Sequence, residues 1–495
     1  MRLLISGCLG VLTLFHGIAA VLPGEIPSAS LPPAGWILDE WTDPGGWETV
    51  DVTEHGLLPN APTQDAAPIL EGIIASASTY RILHFPAGNY FFKSDLTISK
   101  NGIRIQGAGA DQTNFYQQNC CFTFQPQSLE NRVIPLGPPP ERGDSVLHSV
   151  DADQVSVGIY VLPLAQFPWG GNREEYNLRM AKEGRGQIVV VTGVEGDSID
   201  VSEPMGLDYT PWPDLRLKIL RMLKDVGIES LHVQKLEQDK KDTLIFDQVA
   251  NGYVRDVSSY YTHHKTILTK HCYRIFIEGN DIRQGWEKKK GGHAYGIQIN
   301  SNTTRAYVLN NKLEQLRHAI TLQQGANHCV IAYNHTKSNI LLHGNYANNN
   351  LFEGNVADAG INFDAVHGSN GPFNFVFRNV SDSDFRGIGV FRGEPVIAMG
   401  NAAKKFLKVR DEDYYALNRV NGEIDPGRLD LNTELPPSLY YESAPAYLDS
   451  AHWPLYGPGA GDDWGYPRPN AASARDFRDP PSPEEDAETN PNSDS

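Results

Sequence analysis

In the second half of this 495-residue chain, histidine and arginine recur at one fixed place relative to a glycine or asparagine. Strand-like phrases end at Asn302 (YGIQINSN), Gly325 (AITLQQG), Gly344 (NILLHG), Gly368 (FDAVHG) and Gly393 (IGVFRG), and the residues just before these ends are Ser301, Gln324, His343, His367 and Arg392. Imidazoles and a guanidinium aligned in this way could take up a proton and stabilise a developing anion, the two needs of an elimination beside a carboxylate. His343 or His367 would be the base, because neutral imidazole titrates near pH 6.5. Arg317, Arg386 or Arg392 would neutralise charge, His318 adds an imidazole, and Asp364 could orient one. The plain alternative is that these side chains only hydrogen-bond turn carbonyls.

Two further groups could do chemistry. The segment Trp286-Glu287-Lys288-Lys289-Lys290-Gly291-Gly292-His293 lengthens one repeat by about eight residues, and long loops on rigid scaffolds often carry binding residues. Trp286 could stack on a sugar ring, with Lys288, Lys289, His293 and Arg392 drawing carboxylates or sulfates. A second stack places Arg283, Glu314, Lys337, Asp358, Asp382 and Lys404 in register. Asp358 and Asp382, about 5 Å apart, would suit a retaining glycosidase or could share Ca²⁺. Alternating charge along the stack makes an exposed ion-pair ladder the plainer reading. No metal-ligand spacing is seen and no metal residues are assigned.

Such alignments need a scaffold that repeats. An apolar-x-Asn phrase recurs at Asp256, Asn280, Asn311, Asn334, Asn355, Asn379 and Asn401, at intervals of 24, 31, 23, 21, 24 and 22 residues. Amides one turn apart can hydrogen-bond each other as a buried ladder, and periods of 20–25 with strand-like phrases indicate a solenoid. No two-residue hairpin turns join these strands, so they stack in parallel. The residues at 302, 325, 344, 368 and 393 are expected at φ > 0, which Gly and Asn tolerate. The fold class predicted is all-β: a right-handed parallel β-helix solenoid. Cys120, Cys121, Cys272 and Cys329 lack metal-site spacing and are expected to be small buried residues without bridges.

Residues 1–20 have the form of a signal peptide, followed by a Pro-rich linker at 21–35. An N-terminal cap and first coils are expected over 36–125, with a helix near 63–78 burying Ile69, Leu70, Ile73 and Ile74. Residues 126–222 break the period, and their alternating strands with a turn at Glu195-Gly196-Asp197 predict an inserted antiparallel hairpin region. The main coils occupy 223–405, an irregular C-terminal cap 406–465 and a disordered acidic tail 466–495.

The helix near 63–78, followed by Pro86, Gly88 and Tyr90 in a strand and Gly107 and Gly109 in a turn, resembles the opening of the pectate-lyase-like superfamily of β-helix proteins. With the repeat, the likeness covers about 45–125 and 225–405. That superfamily holds lyases, hydrolases, epimerases and tailspikes, so it implies the fold and a polysaccharide partner rather than one reaction. Leu316-Arg317-His318-Ala319 also resembles the Arg-His-Gly segment of alginate and chondroitin lyases of this fold. Their NxE calcium segment and catalytic Lys are not seen, nor are the motif sets of polygalacturonases or classical pectate lyases.

A net charge of −18 argues against nucleic acid, whose phosphates need a basic face. No segment beyond the signal peptide is long and apolar enough to span a membrane. The expectation is a secreted, monomeric, carbohydrate-active protein that cleaves an acidic polysaccharide by β-elimination. A glycoside hydrolase using Asp358 and Asp382, or a non-catalytic glycan-binding adhesion solenoid, are the alternatives.

Overall fold

The computed structural model describes residues 39–460 with Trp36 and Ala472, apart from 79, 167–182, 211, 213, 290, 384–386, 407–409 and 449. The expected signal peptide, the linker and nearly all of the acidic tail lie outside the described residues.

The chain is a parallel β-helix whose coils present three strand columns. One sheet has nine parallel strands among the described residues, from Leu96–Ile98 through Lys265–Lys270, Tyr295–Asn300, His318–Leu322, Ile340–Leu342 and Ile361–Phe363 to Ile388–Phe391. A second column stacks Tyr273–Glu278, Thr304–Leu309, Val330–Ala332, Leu351–Glu353, Asn374–Phe377 and Val396–Met399. A third stacks Asp281–Gly285, Lys312–Glu314, His335–Thr336, Val356–Ala357, Val380–Ser381 and Ala402–Ala403. Alternation drives this arrangement, because every second residue of a strand points inward. Ile267, Ile297, Ile320, Ile340, Ile361 and Ile388 pair in sequence along the first sheet. All but Ile267, at 1% exposure, are fully buried.

The asparagine ladder occupies the corner between the second and third columns. Each Nδ2 donates to the Oδ1 one coil on, from Asn280 through Asn311, Asn334, Asn355, Asn379 and Asn401 to Asn418, at 2.8 to 3.0 Å. Two expectations change here. Asp256 is not a rung, because Val257 N is the group that donates to Asn280 Oδ1, and the ladder runs one step further, to Asn418. The residue before each rung is left-handed, and at Asn310, Tyr333, Arg378 and Leu417 it is not glycine. That conformation costs about 1–2 kcal/mol per residue, which the ladder bonds offset. A shorter second ladder joins Asn350 to Asn374.

The helix spans Ala66–Ser76, narrower than the predicted 63–78. Asp65 caps it by accepting from Ala67 N, and its carboxylate also accepts from Lys93 N and Ser94 Oγ, tying the helix to the first coils. Leu70, Ile73 and Ile74 close the apolar end of the solenoid.

After Gln125 the chain leaves the coils and rejoins at Leu223. Between them lies an antiparallel sheet with the hairpin Val189–Glu195/Ser198–Val201, where Gly196 takes φ +61° in the turn. This insertion docks on coil turns: Asn302 Nδ2 donates to Glu183 O, Asn327 Nδ2 to Gly186 O, and Ile188 N to Thr304 Oγ1.

The described residues nearest both chain ends lie on the outside of the second column. Trp36 Nε1 donates to Asn349 O and Trp41 Nε1 to Asn251 O, while Arg274 pairs with Asp39. From the other end, Tyr440 Oη donates to Asp39 O, and the carbonyls of Leu435, Pro436, Tyr456 and Pro458 accept from buried Arg378. Among the described residues the cysteines are free, with Cys120, Cys272 and Cys329 buried as expected and Cys121 half-buried.

Candidate functional site

The outward face of the nine-stranded sheet carries a groove of about 810 Å³. Its floor follows from strand register. His343 N donates to Leu322 O, Asp364 N to Leu342 O and Arg392 N to Phe363 O, so Asn300, Gln323, His343, Asp364 and Arg392 form one outward column. The expected column of Ser301, Gln324, His343, His367 and Arg392 is therefore corrected. Along the same strands Leu322 pairs with Leu342 and then Phe363, and Thr321 pairs with Leu341 and then Asn362. The glycines do take φ of +71°, +82°, +105° and +109° at 325, 344, 368 and 393. The turns before them differ in length, so they do not mark strand register.

The true register puts Asp364 directly beside His343. His343 Nδ1 lies 2.9 Å from each Asp364 carboxylate oxygen, and the His367 ring packs edge-on against His343 at 4.6 Å. Burial pushes the Asp364 carboxyl up, but the hydrogen bond and charge of His343 outweigh it and hold the carboxyl below its ordinary range. His318 lies 5.9 Å from His343 between ring centres, with Nδ1 2.8 Å from Asn339 Oδ1. Burial draws His318 down to about 4, the Asn339 bond countering only in part, so this imidazole is neutral at pH 7. Tyr295 packs against His318 at 4.7 Å, and burial raises its phenol above the ordinary value.

Arg317 joins this group from the side. Its main-chain N donates to Ala294 O and its guanidinium donates to the carbonyls of Lys289 at 3.0 Å and Lys288 at 3.4 Å. The overlong turn is thus pinned to the groove edge through its backbone, leaving the Lys288 and Lys289 side chains exposed. Trp286 is 38% exposed and packs against Tyr261 at 5.1 Å. His293, expected on the loop as a binding residue, is buried instead, among His263 and His264. Arg392 is exposed at the end of the His343 column, and Arg386 lies outside the described residues.

Sequence reasoning missed Lys265, Tyr295, Gln298, Asn300 and Gln323, all of which line the groove. Lys265, Tyr295 and His318 stack at the starts of successive strands, a match visible only once register is known. The stack of Arg283, Glu314, Lys337, Asp358, Asp382 and Lys404 forms on the third column as expected. Its acids are engaged, however: Lys337 pairs with Glu314 at 2.9 Å, Lys404 with Asp382 at 2.8 Å, and His335 lies 3.6 Å from Asp358. Asp358 and Asp382 are 41% and 60% exposed and do not line the groove. Among the groove's described lining residues Asp364 is the single carboxylate, a poor match to Ca²⁺, which takes six to eight oxygens.

No protein-family profile and no curated protein matches the sequence. Solved structures do. The tailspike protein gp49 from Pseudomonas phage LKA1 is similar at 13% identity and a TM-score of 0.51, over 71% of this chain and 64% of that one. The tailspike gp61 of Pseudomonas phage phi297 is similar at 14% identity and the same TM-score, over 76% and 72%. The likeness is one of fold. The chain thus stands among parallel β-helix proteins, spanning a little under two thirds of the first of these tailspikes.

Proposed function

We propose that the groove binds an acidic polysaccharide and cleaves it by β-elimination. The observation that carries this is the His343–Asp364 contact in a groove that is basic within an acidic protein. Lys265 and Arg317 outnumber Asp364 there, against a net charge of −18 overall, so the groove concentrates an anionic chain. With Nδ1–H donated to Asp364, His343 keeps an Nε2 lone pair to take the proton next to a uronate carboxylate. The released electron pair forms the C=C bond as the glycosidic C–O bond breaks. Arg317 neutralises the carboxylate as negative charge develops on it, and Tyr295, a phenol protonated at neutral pH, hands a proton to the leaving oxygen. Asp364 is a positioning residue that fixes the tautomer. Hydrolysis by paired carboxylates has less support, since the groove offers one carboxylate and a retaining pair needs two about 5 Å apart. The opening motif at 45–125 supports placing the fold with the pectate-lyase-like group, and residues 1–20 support export to the cell exterior.

The test is a panel of uronate glycans, followed by absorbance of unsaturated ends together with reducing ends. Unsaturated product is expected, falling about 10²- to 10⁴-fold in His343→Ala. Asp364→Asn should lower kcat with little change in KM. Reducing ends without unsaturation would replace elimination by hydrolysis, and binding without either would leave a glycan-binding solenoid.

A further inference from the structure

Three imidazoles from neighbouring coils meet beneath the overlong turn, beside the groove but outside its lining. His263 and His264 follow the strand Val249–Thr262, where the chain bends before Lys265, and His293 closes the overlong turn one coil later. Adjacent residues of an extended strand point to opposite faces; the bend instead turns both rings toward His293. The His293 ring centre lies 4.6 Å from that of His263 and 4.6 Å from that of His264, and the last two are 5.2 Å apart. One ring nitrogen from each histidine lies within 4.8 Å of the others. The frame beneath is fixed, since Ala294 N donates to His263 O and Tyr295 N to His264 O, both at 2.8 Å.

We propose that His263, His264 and His293 bind a divalent transition-metal ion, Zn²⁺ being the best match. Zinc takes imidazole nitrogen at about 2.0–2.1 Å, which in a tetrahedron sets the nitrogens about 3.3 Å apart. Rotation about side-chain bonds closes the remaining gap. Asp242 Oδ1 stands 4.0 Å from His264 Nδ1, the place of an outer carboxylate that orients a metal-bound imidazole. Three nitrogen donors do not suit Ca²⁺ or Mg²⁺, which take oxygen. The ion would staple the return of the overlong turn to the preceding coil. Through Ala294 O, which accepts from Arg317 N at 2.8 Å, it would also fix the arginine at the groove edge. The proposal stands whatever reaction the groove performs, and it revises the sequence assignment, which gave His263 and His264 no role and His293 a surface one.

The full-length protein, stripped with chelator, is titrated with Co²⁺ while its visible absorption is recorded. One equivalent should bind with the intense bands of four-coordinate cobalt, and Zn²⁺ should displace it. His263→Ala and His293→Ala are expected to weaken binding at least ~100-fold, while His148→Ala, on the inserted sheet, leaves it unchanged. If the substituted proteins do not fold, the parent protein decides: its melting temperature should rise with added Zn²⁺. The absence of saturable cobalt binding, equal binding by a His263→Ala/His293→Ala double variant, or a melting temperature indifferent to Zn²⁺ would overturn the proposal.

Discussion

Asn334→Ala tests what the ladder contributes. The Asn334 side chain is fully buried. Its Oδ1 accepts from Asn311 N and Asn311 Nδ2, both at 2.9 Å, and its Nδ2 donates to Val308 O at 2.8 Å and Asn355 Oδ1 at 2.9 Å. Truncation does not orphan every partner. Asn355 Oδ1 still accepts from Asn334 N, and Asn311 Nδ2 still donates to Ile277 O. Asn311 N–H loses its acceptor in a dry corner, at about 1–3 kcal/mol. The remaining lost bonds add about 1 kcal/mol each. The sum is about 4–6 kcal/mol, a large part of the 5–15 kcal/mol typical of a domain. Chemical denaturation of parent and variant measures this, and hydrogen exchange at the Asn311 amide locates it. A loss below about 1 kcal/mol with unchanged Asn311 exchange would refute the reasoning, because the corner would then be held by apolar packing alone.

Two further outcomes follow from buried groups and turns. Burial lowers His232 and His318 to about 4 and His328 to about 3, below the unfolded value near 6.5. Between those limits the unfolded chain binds more protons, so stability should climb as pH rises from about 4 to 6.5 and level off above. The lowered Asp364 acts in the same direction at lower pH, its contribution present above the unfolded carboxylate pKa and lost as pH falls through the folded one. Melting temperatures from pH 4 to 7 check this, and a flat profile would contradict it. Gly344→Ala should cost at least ~2 kcal/mol, since Gly344 has φ +82° and its Cβ would lie 2.4 Å from Gly368 O. Gly422→Ala, at φ +88° with open space around it, should show the backbone cost alone when the two are compared by chemical denaturation.

The ladder was legible because a side-chain amide is one of few groups that can donate and accept along a stack, so its identity is demanded at every coil. Its ends were less so. Asp256 shares the phrase but stands one residue before the position that meets Asn280, and Asn418 follows Asn401 by only 17 residues. Groove columns were harder. From the last inward residue to the glycine takes three steps from Leu322 to Gly325, two from Leu342 to Gly344 and five from Phe363 to Gly368. Counting from the glycine therefore places Asp364 three positions away from its true neighbour His343. The third-column stack kept its register because each member follows a ladder rung by the same short turn. The histidine cluster left no usable spacing, since His263 and His293 are joined by a turn of atypical length.

The two chain ends set an order on the making of this molecule. Trp36 is among the first described residues to leave the ribosome, yet its indole partner, the carbonyl of Asn349, follows 313 residues later. Asp39 meets Arg274 sooner, 235 residues on, but its carbonyl waits for Tyr440, 401 residues later. Coils can stack one upon another as they emerge, each templated by the last, and the segment at 36–41 is fastened in steps, Trp41 to Asn251 on an early coil and Trp36 to Asn349 only when most of the coils exist. The segment is therefore fastened against the order of synthesis, Trp36 docking after Trp41 although it is made before it.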